Sequence, residues 1–583
     1  MKLTKLRRLV FDPIGRVALV DSSKDALCML IGRAIAEHLL LLSRLSVSVG
    51  VIRWSPSPER AWMRQQGAWS PQIVGDGHRT TKKPIVVQVS AQHLLYRACG
   101  LQHLTLWCHQ EACMETVINA PRQAKTKFNK LAEDVPVLRS RAERLAAGQA
   151  LRNSVPRSSH ADWTPSAQRR NAIEILEESN HDRFPELVPI RYGRMLRSPF
   201  TLLRGSAALV AHDLATTPST GIRVQACGDC HLLNFGLFAT PERNLIFDLN
   251  DFDETLPAPW EWDVKRLAVS FAVAGRDNQL PDADCREAVL ECTRAYREHL
   301  REYSRMNPLE VWYTRLDMNT LIATAPDERV RKSREQLAEK ARQRVVENLF
   351  PKIVGEVAGR RRLVDQPPLI FHVTEADSEE RVREALADYR QSLSDERRIL
   401  LDRYHLEDFA LKVVGIGSVG TRCFIGLFFD EENHPLILQF KEQRRSVLEP
   451  YAGKSQCDNQ GERVVMGQRL MQSSSDIFLG WLRGRRGYDY FVRQLRDMKM
   501  SVPVEKVTAA KLRRYAELCG WTLARAHAKS GDATTISGYL GKGDAFDEAI
   551  GAFSFAYADQ TARDHAALLK AVRAGRLQAL VEE

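Results

Sequence analysis

Between residues 147 and 281 the apolar positions fall into helix-length periodic stretches separated by Ser-Pro, Gly and Trp punctuation. AQRRNAIEILEES and SPFTLLRGSAALVAHDLA predict helices, the second opened by Ser198 and Pro199 in the N-cap and first-turn positions. Short apolar runs at 222–227 and 244–248 predict strands, and a helix follows from Trp262 to about Ala274. Residues 282–408 are mostly charged with a helical period and read as a helical insertion. The pattern turns strand-like at 409–442, with turn signals at Gly415–Gly420 and at Asn433, His434 and Pro435. A strand pair is predicted between Ile477 and Leu495, and the remainder to 583 is helical. Residues 1–146 have irregular periodicity and no assignable fold; their last part, 123–148, looks helical and basic, interrupted at Pro136. The resulting division is 1–146, 147–281, 282–408, 409–500 and 501–583, with no repeat of fixed period.

Composition adds a globular chain of several units: 583 residues, 44% hydrophobic and 27% charged. The net charge of +11 is unevenly placed. Residues 1–146 hold 22 Lys and Arg against 11 Asp and Glu, and the rest holds 62 against 62. Nucleic acid is therefore expected as a partner only through residues 1–146, if at all. Met1–Asp25 lacks the apolar core of a secretory signal, and the apolar window Ala26–Ile52 carries Arg33, Glu37, His38 and Arg44. These features predict a cytoplasmic protein with no membrane partner. Eleven cysteines, thinly spread, fit free thiols. Cys227-Gly228-Asp229-Cys230-His231 spells the CxxCH of covalent haem attachment. That chemistry belongs to exported proteins, and no second CxxC completes a zinc set, so both metals are set aside.

The same stretch carries a second pattern: Asp229 stands five residues before Asn234, on a loop leaving a short strand. This is the spacing of the catalytic loop in kinase-like phosphotransferases, where the Asp accepts the proton of the attacking hydroxyl and the Asn binds Mg²⁺. A hard carboxylate should follow after another strand. FDLNDFDE supplies Asp248 and Asp251, both candidate metal ligands, with Asp253 and Glu254 beside them. Four acids in seven residues raise one another's pKa unless a cation compensates. Asp263, 12 residues beyond Asp251, opens a helix and is expected to steady the catalytic loop.

VVGIGSVGTRCF contains a GxGxxG at Gly415, Gly417 and Gly420, with Ser418 between them. A strand follows rather than a helix, which argues against a dinucleotide site. The next strand delivers Lys441, and Glu462, 21 residues on, opens a helix as its expected partner. Lys441 and the loop glycines are thus candidate ATP-binding residues. Arg194, Arg197 and Arg204 either bind phosphate or pair with the acidic cluster.

The segments PIRYGRMLRSPFTLLRG, GDCHLLNFG, FDLNDFDETLPAPWEWDVKRLA, KVVGIGSVGTRCFIGL, FKEQRRSVLEPYAG and LARAHAKSGD resemble the bacterial DUF2252 family over roughly 147–583. That family is uncharacterised and itself resembles kinase-like proteins, aminoglycoside phosphotransferases in particular. The resemblance implies an α+β, protein-kinase-like two-lobed fold. The catalytic pair precedes the glycine loop and lysine, so the fold would be circularly permuted, with a helical insertion and an N-terminal extension. The expectation is an ATP- and Mg²⁺-dependent phosphotransferase. Asp229, Lys441 and Glu462 would form the catalytic set and Asn234, Asp248 or Asp251 the metal ligands. The partners would be a nucleotide and a small-molecule or protein acceptor. A non-catalytic nucleotide-binding scaffold, and transfer of AMP by the same site, are the alternatives.

Overall fold

The computed structural model describes residues 8–11, 17–20, 139–357, 359–373 and 378–582. The chain forms two compact units, Met1–Val137 and Leu138–Glu583. In the first, Arg8–Phe11 pairs antiparallel with Val17–Val20, Arg8 opposite Val20. Most of the basic stretch expected to be helical at 123–148 lies outside the described residues. Its end is the helix Arg141–Ala150, closed by a capping box between Ser140 and Glu143. This helix belongs to the second unit: Arg144 pairs with Asp532 at 3.1 Å. It also packs backbone to backbone, since a Cβ on Gly148 would lie 2.0 Å from the Thr535 carbonyl oxygen. The boundary therefore falls at 137/138 rather than after 146.

The second unit is α+β. The helix expected over residues 198–215 is two, because Ser206 leaves helical geometry (φ −117°, ψ 40°). The first, α1 (Pro199–Gly205), starts with Ser198 as a capping-box N-cap. Then come β1 (Arg223–Ala226), β2 (Phe235–Ala239), β3 (Leu245–Leu249), β4 (Leu256–Pro259) and α2 (Trp260–Asp277). β1 pairs with β4 and β2 with β3, so the GDCHLLNFG loop and the FDLNDFDE loop leave neighbouring strand ends.

The block expected to be a helical insertion is more varied. Its first helix, α3 (Asp282–Tyr303), buries Cys285, Val289, Cys292, Tyr296 and Leu300 in the main core. It also supplies β5 (Leu316–Asp317) to β3, the hairpin Val354–Val357 with Arg360–Leu363, and β6 (Ile370–Phe371). The charged face that dominates this pattern is the solvated side of helices whose other side is core.

β7 (His405–Lys412), β8 (Cys423–Phe429), β9 (Pro435–Gln443), α4 (Gln460–Met471), β10 (Gly480–Arg483) and β11 (Asp489–Gln494) follow. With β6 they make a six-stranded sheet of order β6-β7-β8-β9-β11-β10. Alternation along β7–β9 places Leu436, Leu438 and Phe440 with Phe428 against Tyr389, and Ala410, Ile425, Leu427 and Ile437 in a second cluster on the other side. β12 (Met500–Ser501) then crosses back to pair with β2. The closing helices are α5 (Ala509–Ser530) and α6 (Ala545–Arg573). α5 lies against α3 so closely that a Cβ on Gly520 would meet the Cys292 carbonyl oxygen at 2.1 Å.

In this core Trp260 stacks on Tyr296 with ring centroids 5.8 Å apart. Glu261 and Lys265, one turn apart on α2, are both fully buried. Lys265 Nζ has no hydrogen-bond partner and stands 5.0 Å from the Phe553 ring centroid. Burial lowers its pKa to about 7. No helix among the described residues is long and apolar enough to cross a membrane.

Candidate functional site

The loop between β1 and β2 is shaped by Gly228. Its φ is +82°, and a Cβ there would lie 2.4 Å from the Glu254 carbonyl oxygen, so the catalytic-loop candidate and the acidic loop touch at a position only glycine fills. Asp263, at the start of α2, accepts the N–H groups of Cys227 (2.7 Å) and Gly228 (3.0 Å). His527 of α5 stands 3.3 Å from the same carboxylate and 2.9 Å from the Tyr296 hydroxyl. The cysteines flanking Asp229 are buried free thiols. Their Sγ atoms and an Asp263 oxygen lie within 4.8 Å of one another, but Asp263 is already engaged by the loop backbone.

Asp229 receives the Arg266 guanidinium on Oδ1, and its Oδ2 is 3.9 Å from His231 Nε2. Burial raises its pKa to about 6 against the opposing charge of Arg266, with Asp251 and Glu254 adding to the rise. A carboxyl held near neutrality is suited to taking a proton at working pH. Asn234 donates its side-chain Nδ2 to the Asp229 backbone carbonyl oxygen, and its backbone carbonyl accepts the Asn250 N–H at 2.7 Å. The donor end of the Asn234 amide is spent on the loop; the oxygen end is the one left for a ligand.

The two acids proposed for metal divide cleanly. Asp248 is fully buried and saturated: Oδ1 accepts from Arg525 and from the Leu249 N–H (2.8 Å), Oδ2 from the Ser473 N–H (2.9 Å) and hydroxyl (2.7 Å). It ends a strand facing inward, so it anchors α5 to β3 and has no oxygen to offer a cation; the expectation of a metal ligand is corrected there. Among the described residues the Asp251 carboxylate accepts one hydrogen bond, from the Asp253 N–H at 3.4 Å. Burial alone would raise its pKa, but Lys441, Arg493, Lys499 and His231 together pull it down to about 2.

Lys441 reaches this junction from β9, where it sits opposite Cys423 and Phe491 and is 4% exposed. Its carboxylate partner is Asp253. The pairing with Glu462 expected from the sequence is not made among the described residues. Glu462 lies in the first turn of α4, its N–H capped by Asn459 Oδ1 at 3.1 Å. The next residue, Arg463, does the joining instead: its guanidinium donates to the carbonyl oxygens of Thr255 (2.8 Å), Asp253 (2.8 Å) and Arg444 (2.9 Å). Arg463 thereby pins α4 to the acidic loop. Asp253 also accepts from Gln443 Nε2 (3.1 Å) and from the Ser418 hydroxyl (3.3 Å), which brings the glycine loop to the same carboxylate.

The glycine loop is held from outside by Arg194 on the Gly415 carbonyl, Arg183 on the Val419 carbonyl and the Phe184 N–H on the Gly420 carbonyl (2.8 Å). Gly415 (φ +65°) and Gly420 (φ +83°) need glycine for their backbone; a Cβ on Gly417 would meet nothing nearer than 3.8 Å. Gly417 is exposed, and packing does not require glycine there.

The structure therefore brings Asp229, Asn234, Asp251, Lys441 and the loop of Gly415, Gly417, Ser418 and Gly420 to one polar junction, and leaves out Asp248 and Glu462. Residues that the motifs did not single out complete it: Asp253, Arg266, Gln443, Arg463, Arg493 and Lys499. Lys499 donates to the Asn250 carbonyl at 3.1 Å, and burial followed by the charge of Arg493 lowers its pKa to about 7. The only advance signals were adjacency to motif residues, as with Arg463 after Glu462. A surface cavity of about 270 Å³ lies elsewhere, lined by Arg294, Arg297, Glu298, Lys542 and Glu548, and shares no residue with the junction.

Residues 183–571 match the model of a family described as "Uncharacterized protein conserved in bacteria (DUF2252)". No curated protein matches the chain. No solved structure matches it either.

Proposed function

The chain belongs to the DUF2252 family, and from that premise we propose that it is an ATP- and Mg²⁺-dependent phosphotransferase acting on a small-molecule acceptor. The fold would be kinase-like and permuted, its proton-acceptor and metal loops preceding the glycine loop and lysine in the chain. One observation carries the reading: Asp229, Asn234, Asp251 and Lys441, drawn from three separate loops and strands, meet at one junction covered by the glycine loop.

The donor set fits the groups it would hold. Asn234 and Asp251 would bind Mg²⁺ through an amide and a carboxylate oxygen, the hard ligands that ion takes. Lys441, Arg493 and Lys499 all act on Asp251, which gathers cationic groups at one carboxylate of the junction. An anionic polyphosphate is the natural counter-charge. Mg²⁺ would supply charge neutralisation on the phosphate oxygens. Asp229 would accept the proton of the acceptor hydroxyl, with Arg266 fixing the carboxylate and Asp263 fixing the loop. Lys441, oriented by Asp253 and Gln443, would hold phosphate oxygens, and the backbone at Gly417 would let the nucleotide approach closely. Positioning and electrostatics of this kind account for most of phosphoryl transfer.

The test is the melting temperature of wild type and Lys441→Ala with ATP, with and without Mg²⁺, followed by transfer of labelled γ-phosphate across a panel of small hydroxylated acceptors. A rise that requires both ATP and Mg²⁺ and is lost in Lys441→Ala supports the reading. Absence of that rise in wild type sinks it, and binding without transfer to any acceptor leaves a nucleotide-binding scaffold.

A further inference from the structure

Among the arginines around the junction, Arg204 has neither a hydrogen-bond nor a carboxylate partner among the described residues. Arg191 donates to Ser179, Asn180 and the Gly205 carbonyl; Arg194 pairs with Glu582; Arg266 holds Asp229 and the Leu203 carbonyl. Arg204, at the last turn of α1, is half-buried, its Nε is buried without a hydrogen-bond partner, and no described carboxylate pairs with it. Its guanidinium carbon lies 5.9 Å from the Phe200 ring centroid.

Its backbone setting is specific. Leu203, the residue before it, gives its carbonyl to the Arg266 Nη2 that also holds Asp229, at 2.8 Å. Gly205, the residue after it, backs onto Ile416 of the glycine loop, and the Arg204 carbonyl oxygen is 3.8 Å from where a Cβ on Gly417 would stand. The backbone of residues 203–205 therefore runs between Arg266, which holds the carboxylate proposed to accept the proton, and the loop proposed to cover the phosphates. The acids that act on the Arg204 charge are Asp229, Glu505 and Asp251. Beside it His231, 5% exposed, has an unpartnered Nδ1, and Arg266, 2% exposed, has unpartnered Nε and Nη1. A guanidinium held this way loses solvation with no carboxylate in hydrogen-bond contact, a cost that a bound oxyanion offsets.

We propose that Arg204 binds the terminal phosphoryl group of the nucleotide, placed between Asp229 and Asp251. The proposal rests on the phosphotransferase reading and adds a residue to it. In the transfer, the bond from the acceptor oxygen to phosphorus forms as the bond from phosphorus to the bridging oxygen of ADP breaks. The electron pair of the broken bond leaves with ADP, and the hydroxyl proton passes to Asp229. Arg204 stays protonated and keeps two donors on the moving group, which a planar fork does better than an ammonium. The same chemistry would suit an anionic acceptor, so the test separates the two sources.

Calorimetric titration of the full chain with MgADP, and with the Mg²⁺ complex of a β,γ-methylene triphosphate, provides that separation. Arg204→Gln should weaken the triphosphate about 10- to 100-fold and leave MgADP within about twofold. Arg204→Lys should recover part of the loss, and neither variant should melt lower than wild type without nucleotide. Equal weakening of both nucleotides, weakening of neither, or a melting temperature lowered by more than about 5 °C overturns the proposal while the nucleotide site stands. Retained triphosphate affinity with loss of transfer only to anionic acceptors also overturns it and assigns Arg204 to the acceptor. Failure of the wild type to bind either nucleotide overturns the phosphotransferase reading itself, and the wild-type titration tells the two failures apart.

Discussion

Lys441 and Asp253, 188 residues apart in the chain, form an ion pair that joins the six-stranded sheet to the acidic loop following β3. Gln443, two residues along β9 and so on the same face, adds a hydrogen bond to the other oxygen of Asp253 at 3.1 Å. Asp253→Asn should leave Lys441 without its orienting charge while the strand stays in place. The expected outcome is about a 10-fold loss of MgATP affinity with a circular dichroism spectrum like that of wild type. Unchanged affinity would show that the pair plays no part in nucleotide binding.

Asp248 and Asp251, three residues apart, should fail in different ways. Asp248→Ala leaves the fully buried Arg525 uncompensated and should cost about 3–5 kcal/mol of stability, read from urea unfolding. Asp251→Asn should melt near wild type and lose the Mg²⁺-dependent part of nucleotide stabilisation. The reverse assignment of effects would restore Asp248 as the metal ligand.

Arg463 and Glu462 make a second contrasting pair. Removal of the Arg463 guanidinium leaves three carbonyl oxygens at the junction between α4 and the acidic loop without their donor. Arg463→Ala should destabilise by about 2–3 kcal/mol and abolish transfer. Glu462→Gln removes only a first-turn charge and should change stability by about 0.5 kcal/mol, with nucleotide affinity kept. A loss of affinity in Glu462→Gln that matches Lys441→Ala would show that the two residues pair during binding.

Lys265 gives the unit a pH dependence. Its pKa falls on folding from 10.5 to about 7, with burial as the main cause. Between these values the unfolded chain binds more protons than the folded one, so this group's contribution to stability rises with pH from about 7 to 10.5. Lys265→Met removes the buried ammonium. Its melting temperature should exceed that of wild type most at pH 7 and below, and the difference should shrink towards pH 10. A difference independent of pH would mean that Lys265 is not held in the lowered state.

Much of the site was legible in the chain because its parts are local. The Asp229-to-Asn234 spacing sits on one turn, and the positive φ of Gly415 and Gly420 is met by residues that tolerate it. The strand, turn, strand order that delivers Lys441 follows from apolar strand runs separated by the turn signals at Asn433, His434 and Pro435. The break of the predicted helix at Ser206 was not legible, because serine after glycine in an apolar run carries no stop signal strong enough to outweigh the periodicity.

The sequence by itself determined the α+β class, many of the elements and the loops that make up the candidate site, since hydrophobic period, caps and turn residues act over a few positions. Only the tertiary structure decided that Asp248 faces Arg525, 277 residues away, that Lys441 turns to Asp253 rather than Glu462, and that Arg204 has no carboxylate partner among the described residues. Four carboxylates in seven residues present the same local pattern whether each one faces the core, a lysine or a ligand. Which one does so depends on the strand and helix ends that packing brings against them, and those lie far away in the chain.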